Sequence, residues 1–270
     1  MKVLVTGGAG FLGRYILREL REAGYRPVAF QRSSAPDLVG DGYDVVTGSL
    51  LERASLRRAM EGCGAVLHVA ALAGVWGRRR DYHAINVEGT REVLAVMEEC
   101  GIRDLVYCST PSVVFTGEPF RGADESLPYG RDWLCAYPET KARAEAEALA
   151  WGRDKGHRVI ALRPHLIWGR GDPHLLPKVI ARSQAGRLRI VGDGRNRVDI
   201  TRVENAARAH LLALRALERP NAVNRAYFLS QGEPVQLWPW INELLGAVDV
   251  APLQKRISFR AAYRIGAVAE

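Results

Sequence analysis

The chain has few cysteines and no long apolar run. Its 270 residues include four cysteines that form no Cys-x-x-Cys pair: Cys63, Cys100, Cys108 and Cys135. This scatter argues against a disulfide framework and a metal site, and it favours free thiols in a reducing cytoplasm.

No apolar run approaches the roughly 20 residues that span a bilayer. Met1-Lys2 leads directly into a strand, which leaves no room for a signal peptide, so we expect a cytoplasmic protein without a metal.

The chain also lacks a concentrated block of charge. Its net charge is +8, but the densest basic run is only Arg78-Arg79-Arg80, and no basic stripe interleaved with aromatic residues is present. We interpret the excess charge as a solvated, arginine-rich surface and expect no nucleic-acid partner. The alternatives for such an excess of positive charge are a nucleic acid, an anionic membrane or an acidic small molecule as partner.

A glycine-rich loop follows the first apolar run, Val3-Leu4-Val5. It reads Thr6-Gly7-Gly8-Ala9-Gly10-Phe11-Leu12-Gly13 and precedes a helix predicted over 14–23. In such loops the first glycine permits a tight turn, the second lets the backbone approach a pyrophosphate, and the third lets helix and strand pack closely. The first helical amides would then bind phosphate. Gly7, Gly10, Phe11, Leu12 and Gly13 are therefore predicted to contact a dinucleotide.

Strands and helices are predicted to alternate along the chain. This order predicts an α/β fold with a Rossmann-type, doubly wound parallel sheet. After about residue 164 the pattern is less regular and richer in Pro and Gly, which indicates a smaller C-terminal lobe. We expect a dinucleotide-binding domain over 1–164 with about 198–230, and a substrate-binding lobe over 165–197 with 231–270.

The second predicted strand ends in Phe30-Gln31-Arg32-Ser33-Ser34, without an acidic residue. An acid at this place would bind a free ribose 2′-hydroxyl and select NAD. Arg32 can instead face a 2′-phosphate, with Ser33 donating a hydrogen bond. The sequence therefore favours NADP(H) over NAD(H). The alternative is that Arg32 is only a solvated charge at the end of a strand.

Tyr137 and Lys141 are four residues apart and would lie on one face of a helix. Pro138 suits the first helical position, which would place Tyr137 at the entrance of the helix. A nearby ammonium group would lower the pKa of the phenol, so that Tyr137 could exchange a proton with a substrate oxygen. Lys141 would also hold a ribose of the cofactor. Ser109, Thr110 and Ser112, after the fifth strand, compete for the role of a hydroxyl that hydrogen-bonds the substrate oxygen.

Together these motifs resemble the extended short-chain dehydrogenase/reductases, over nearly the whole chain. Further motifs carry the resemblance: Gly48-Ser49-Leu50, His68-Val69-Ala70-Ala71, Asn86-Val87-Glu88-Gly89-Thr90, Cys108-Ser109-Thr110 and Arg163-Pro164-His165-Leu166-Ile167. The resemblance implies that Ser49, Leu50, Ala70 and Ala71 border the adenine and pyrophosphate. It also implies that Pro164 and Ile167 bind the nicotinamide carboxamide, that Asn86 braces the sheet, and that Thr110 is the catalytic hydroxyl. Ser49 stands where the family usually has an adenine-binding Asp.

Within that family the chain is most similar to the 3β-hydroxysteroid dehydrogenase-like branch. Residues 162–177 carry most of this resemblance. The likeness to members that act on 2-alkyl-3-oxoalkanoic acids in bacterial olefin biosynthesis implies an NADPH-dependent reductase of a bulky β-keto acid. Oxidation of sterol-4-carboxylates, nucleotide-sugar epimerisation or dehydration, and non-catalytic NADP binding are the alternatives. The resemblance further implies a homodimer and a hydrophobic, acidic small-molecule substrate. The C-terminal end is a candidate contact with a membrane surface or a pathway enzyme.

Some aromatic and histidine residues are candidates for the substrate cavity. The aromatic candidates are Trp76, Tyr82, Phe115, Trp133 and Trp168, and ordinary packing is the alternative for each. His165 and His174 could bind a carboxylate or cap loops.

Overall fold

The computed structural model describes residues 1–74, 76–173 and 175–269. The first half of the chain contains β1 Lys2–Thr6, α1 Phe11–Glu22, β2 Arg26–Gln31, α2 Pro36–Gly40, β3 Asp44–Thr47, α3 Arg53–Met60, β4 Cys63–His68, α4 Arg79–Tyr82, a π-helix His83–Glu88, α5 Gly89–Glu99, β5 Asp104–Cys108 and a 3-10 helix Pro111–Val114. The second half contains α6 Ala136–Lys155, β6 Arg158–Pro164, β7 Ile167–Trp168, α7 Leu175–Gln184, β8 Ile190–Val191, β9 Arg197–Val198, β10 Thr201–Arg202, α8 Val203–Ala216, β11 Arg225–Leu229, β12 Val235–Gln236, α9 Leu237–Gly246, β13 Arg256–Ile257 and α10 Phe259–Ala269.

Seven strands form one parallel sheet in the order β11-β6-β5-β4-β1-β2-β3. Val3, Leu4 and Val5 of β1 are fully buried, as expected for a central parallel strand that helices cover on both faces. The order reverses between β1 and β4, and in open α/β sheets ligands bind outside the carboxyl ends of the strands at such a point. The predicted α/β, doubly wound parallel sheet is confirmed.

The described chain forms two compact units. The first comprises Met1–His165 with Val203–Leu229 and contains the whole parallel sheet. The second comprises Leu166–Arg202 with Ser230–Glu270, and its strands are two residues long. Its core is built around Trp238, Trp240, Ile241 and Leu245.

Two helix starts are not evident from the sequence. The motif that begins at Asn86 lies within a helical segment that already starts with one turn at Arg79 and continues through the π-helical turn His83–Glu88. Apolar periodicity does not mark this start, because the segment is mostly polar.

The second difference is that α6 begins at Ala136, so Pro138 is its third residue and not its first. Proline is tolerated there because the first four helical amides have no intrahelical partner.

Within the described residues, every helix is too short or too polar to cross a membrane.

Candidate active site

The glycine-rich loop connects the end of β1 to α1 by close backbone contacts. Gly7 has a φ of +71°, which favours glycine, and its amide donates to the Phe30 carbonyl of β2 at 2.7 Å. A Cβ on Gly13 would lie 2.1 Å from the Gly7 carbonyl oxygen, so only glycine permits this approach of helix to loop. Gly10 is the N-cap of α1 and makes no side-chain cap, which leaves the first amides of the helix open to an anion.

A cavity of about 460 Å³ lies beside this loop, and we call it the glycine-loop cavity. It is lined by Gly7, Ala9, Gly10, Phe30, Gln31, Arg32, Ser33, Ser34, Gly48, Ser49, Leu50, Ala70, Ala71, Leu72 and Ile85. Eight of the predicted cofactor-binding residues are therefore brought together: Gly7, Gly10, Arg32, Ser33, Ser49, Leu50, Ala70 and Ala71. Leu12 and Gly13 are buried in the first turn of α1, and Phe11 is half-buried there.

These residues fit a dinucleotide. The glycine loop and the uncapped amides of α1 form an anion cradle at the carboxyl end of β1, where the strand order reverses. Arg32 and Ser33 are exposed at the end of β2, and no acidic side chain is among the described residues that line the cavity. The lining therefore carries one positive charge, from Arg32.

A buried hydrogen-bond network fixes the backbone below the cavity. The Thr6 hydroxyl lies 2.7 Å from His68 Nδ1 and accepts the amides of Val69 and Ala70 at 3.1 Å each. His68 Nε2 lies 3.1 Å from the Thr90 hydroxyl. Burial lowers the pKa of His68 to about 3, with the charge of Lys141 a smaller cause, so the ring is neutral. Neutral His68 fixes the Thr6 hydroxyl, and Thr6 in turn holds the backbone amide of Ala70, one of the residues that line the cavity.

Two contacts position α6, which carries Tyr137 and Lys141. The Asn86 amide donates to the Thr140 hydroxyl at 3.0 Å, and Asn86 also exchanges hydrogen bonds with the Leu72 backbone. Asn86 therefore braces the segment after β4 against α6. Deeper in the helix, Glu145 is fully buried and pairs with Arg163 of β6 through contacts of 2.5 and 3.1 Å.

Tyr137 is held as a protonated phenol. Burial is the main cause that raises its pKa well above the usual range, and the nearby Cys108 thiol adds to it, while a hydrogen bond with the Thr110 side chain opposes the shift. The prediction that this pKa is lowered is therefore wrong. Sequence spacing alone does not show burial, which disfavours the phenolate here.

Lys141 is a buried cation at the same site. Its Nζ donates to the Cys108 carbonyl at 2.7 Å and lies 4.1 Å from the centre of the Tyr107 ring. Burial lowers the pKa of Lys141 to about 8, while Cys108 and Glu145 act in the opposite direction. The amine therefore carries its charge below about pH 8.

The three candidate hydroxyls occupy different environments. Thr110 lies close enough to Tyr137 to affect its pKa, and its Oγ1 lies 2.9 Å from Ser112 Oγ. Ser109 is buried, and its Oγ has no hydrogen-bond partner among the described residues. We call Thr110, Ser112, Tyr137 and Lys141 the tyrosine cluster. Ser109 lies outside it.

The other predicted site residues are divided between the two units, and one lies outside the described residues. Pro164 ends β6 in the first unit, whereas Ile167 begins β7 in the second, and their contacts with a cofactor stay predictions. His174 is outside the described residues. Of the aromatic candidates, Tyr82 is buried and donates to the Trp76 carbonyl at 3.0 Å, and Trp168 packs against Trp240 in the core of the second unit.

Sequence reasoning missed three contributors to the site. Gly8 packs so closely on β2 that an added Cβ would lie 2.7 Å from the Ala29 Cβ. The Thr6–His68 contact cannot be recognised from the spacing of residues in a motif, because 62 residues separate the two partners in the sequence. Gln31 lines the cavity with both polar atoms of its side chain buried and unpaired. In the sequence, the position of Gln31 at the end of the second strand was the feature that could have indicated that it lines the cavity.

Comparison with known proteins matches residues 4–260 to the 3-beta hydroxysteroid dehydrogenase/isomerase family. A 2-alkyl-3-oxoalkanoate reductase from Stenotrophomonas maltophilia is 47% identical over 275 residues, which cover 100% of this chain and 82% of that protein. The human decarboxylating sterol-4-alpha-carboxylate 3-dehydrogenase is 30% identical over 91% of this chain and 66% of its own length. The crystal structure of UDP-glucose 4-epimerase from Brucella ovis in complex with NAD has a TM-score of 0.79 at 27% identity, over 95% of this chain and 86% of that one.

These matches extend over nearly the whole chain and include both units. They confirm the predicted resemblance and, with it, an NAD(P)-dependent oxidoreductase of the short-chain type. The chain belongs to the 3-beta hydroxysteroid dehydrogenase/isomerase family.

Proposed function

We propose that the protein is an NADPH-dependent reductase that converts a bulky β-keto acid of the 2-alkyl-3-oxoalkanoate type into the 3-hydroxy acid. The observation that carries the substrate class is the 47% identity, over the full chain, to a reductase of that name. The basic surface suits an anionic substrate, since the net charge is +8.

The proposed preference for NADPH rests on the glycine-loop cavity. Among the described residues that line this cavity, none is an acid that could bind a free ribose 2′-hydroxyl. Arg32 is exposed at the end of β2. A guanidinium group can pair bidentately with the 2′-phosphate that only NADP(H) carries.

In the proposed mechanism the tyrosine cluster handles the proton. When bound, the nicotinamide supplies a hydride to the ketone carbon. Tyr137 donates its phenolic proton to the ketone oxygen, and its raised pKa keeps this proton available at neutral pH. Thr110 and Ser112 place two hydroxyls next to each other to hydrogen-bond the same oxygen. Lys141, charged below about pH 8, would hold the nicotinamide ribose of the bound cofactor.

A sterol-4-carboxylate dehydrogenase is the second candidate, because the human enzyme of that name is 30% identical over 91% of this chain. Its substrate is also a β-oxygenated acid, and the same tyrosine cluster would serve in the oxidative direction. The two candidates differ in substrate and in the direction of proton transfer at Tyr137.

The decisive experiment offers the purified protein three substrates. These are a synthetic 2-alkyl-3-oxoalkanoic acid with NADPH or NADH, a 3β-hydroxysterol-4-carboxylic acid with the oxidised cofactors, and UDP-glucose. We expect NADPH oxidation and a 3-hydroxy acid, identified by mass spectrometry, with the first substrate alone. Turnover of the sterol acid alone would favour the second candidate. Turnover of UDP-glucose alone would overturn both.

A further inference from the structure

A second cavity, of about 450 Å³, lies beside β11, the edge strand of the parallel sheet, and we call it the edge cavity. It is lined by residues 125 and 127–129 of the loop before α6, by Leu149 of α6, by Arg163 of β6 and by residues 224–227 around the start of β11. All of them belong to the first unit. None of these described residues lines the glycine-loop cavity or belongs to the tyrosine cluster, so the edge cavity is separate from the candidate active site.

Arg163 brings a buried donor without a partner to the edge cavity. The residue is only 3% exposed, and its Nε and Nη2 donate to Glu145. Its guanidinium carbon also lies 5.8 Å from the centre of the Tyr129 ring and 5.3 Å from that of Phe228, so the group is held on several sides. The third nitrogen, Nη1, is buried and has no hydrogen-bond partner among the described residues. A buried donor without a partner is costly, so this fixed N–H in a cavity wall indicates an acceptor that completes it.

Two exposed charged residues also line the edge cavity. Arg225 begins β11, and its side chain pairs with no acid among the described residues. Glu125 carries the opposite charge, but its Oε1 already accepts the Phe228 amide at 2.7 Å. A carboxylate offers two oxygens, so one can pair with Arg225 while the other accepts from Arg163. Glu125 would oppose such a ligand, which gives the two exposed charges opposite expected effects.

The rest of the lining is largely apolar. Leu127, Pro128 and Leu149 contribute aliphatic surface, and Tyr129 and Tyr227 contribute aromatic side chains. A short hydrocarbon chain would lose contact with water on entering such a cavity, and this burial favours binding. The volume also falls within the range of about 300–1,000 Å³ that is usual for small-molecule sites.

We propose that the edge cavity is a second binding site, outside the candidate active site, for a small amphiphilic carboxylic acid. The carboxylate pairs with Arg225 and accepts from Nη1 of Arg163, and the hydrocarbon chain lies against the apolar lining. Because Glu145 joins Arg163 to α6, a bound acid is one ion pair away from the helix of the tyrosine cluster. This site does not depend on the proposed function.

Calorimetry with octanoate tests the charges, and octan-1-ol is the uncharged probe of the same chain length. We expect octanoate to bind the full chain at least tenfold more tightly than octan-1-ol. Arg225→Gln should weaken octanoate at least fivefold, because the pairing charge is lost. Glu125→Gln should tighten octanoate at least twofold, because the amide oxygen can still accept from Phe228 while the repulsion disappears. Arg26→Gln, at the exposed first residue of β2, is the matched control and should have no effect.

A photoreactive octanoic acid, with a diazirine on its chain, tests the location. After irradiation, mass spectrometry of the digested protein should find the label within residues 125–129 and 224–227, and excess octanoate should suppress it. Leu127→Trp places a larger side chain in the cavity and should reduce this labelling at least fivefold, with a melting temperature close to that of the unchanged protein. Arg225→Gln, at an exposed position, decides the matter if the tryptophan variant does not fold.

Three results would overturn the inference. The first is the absence of saturable octanoate binding to the unchanged protein, which would mean that the edge cavity holds only water. The second is an affinity for octanoate that neither Arg225→Gln nor Glu125→Gln alters. The third is label confined to other segments of the chain. Neither measurement involves turnover, so a failure to reduce keto acids would leave this inference standing, and its failure would leave the proposed function standing.

Discussion

The glycine-loop cavity and the tyrosine cluster belong to the same unit but are built differently. The cavity is formed largely by backbone and small residues at strand ends, and its single charged lining residue, Arg32, is exposed. The tyrosine cluster consists of functional side chains, and burial shifts the pKa values of both Tyr137 and Lys141. One region is therefore suited to hold a large polar ligand by shape and charge. The other is suited to control where one proton resides.

Substitutions in the two regions should therefore have different effects. A change in the cavity should alter the affinity for the cofactor and leave the chemical step nearly unchanged. A change in the tyrosine cluster should lower the rate of turnover and leave the affinity for the cofactor nearly unchanged.

Tyr137→Phe removes the proposed proton donor and retains the ring. We expect kcat for ketone reduction to fall by about 10²- to 10⁴-fold, the usual contribution of a positioned acid. The dissociation constant for NADPH, measured by fluorescence, should change less than threefold. Tyr227→Phe is the matched control, because its hydroxyl donates to the Ala222 carbonyl at the far edge of the sheet. Unchanged turnover in Tyr137→Phe would exclude the mechanism.

Thr110→Val and Ser109→Ala separate the two adjacent hydroxyls. Thr110 belongs to the tyrosine cluster, so Thr110→Val should lower kcat by about tenfold to a hundredfold, as loss of one hydrogen bond to a reacting oxygen does. Ser109 has a buried hydroxyl without a partner, so Ser109→Ala should leave kcat within about twofold and the melting temperature equal or higher. The reverse pattern in steady-state kinetics would move the catalytic role to Ser109.

Arg32→Ala tests the charge at the cavity. Loss of a charge-assisted hydrogen bond of about 1.5–3 kcal/mol corresponds to a tenfold to hundredfold weaker binding of NADPH. Binding of NADH should change less than threefold, because NADH has no 2′-phosphate. Arg26→Ala, at the exposed opposite end of β2, is the matched control. Equal effects on the two cofactors would show that Arg32 is only a solvated charge.

The pH dependence of turnover tests the buried cation. Lys141 has a pKa lowered to about 8, so it is charged below that pH and neutral above it. We expect kcat/KM to be level below pH 8 and to fall up to tenfold per pH unit above it. In Lys141→Arg the charge persists, so this decline should disappear even if the rate is lower. An unchanged decline in the arginine variant would assign it to another group.

Several features of the site were accessible from the sequence because they depend on local geometry. Three such features lie within short segments and can be read directly. They are the glycine spacing, the four-residue step from Tyr137 to Lys141, and the absence of an acidic residue after β2. The pKa of Tyr137 was not accessible in this way. Its sign depends on burial and on Cys108, which lies 29 residues earlier in the chain.

The hydroxyl assignment shows the same limit. Ser109 and Thr110 are adjacent in the sequence, but side chains alternate between faces along an extended backbone. The Ser109 amide bonds to the Leu162 carbonyl and so continues the sheet, and this places its hydroxyl in the interior. Thr110 turns the other way, towards Tyr137. Motif matching favours Thr110 as the catalytic hydroxyl, and the burial of the unpaired Ser109 hydroxyl supports the same proposal.

The α/β class, the glycine-rich loop and the spacing of Tyr137 and Lys141 could all be predicted from short segments of the sequence, because periodicity and turn chemistry are local properties of the chain. The tertiary structure alone decided which groups are buried together. It set the protonation of Tyr137, Lys141 and His68, and it left the amide of Gln31 unpaired in the cavity. The physical reason is that desolvation and hydrogen-bond satisfaction depend on neighbours that are distant in the chain.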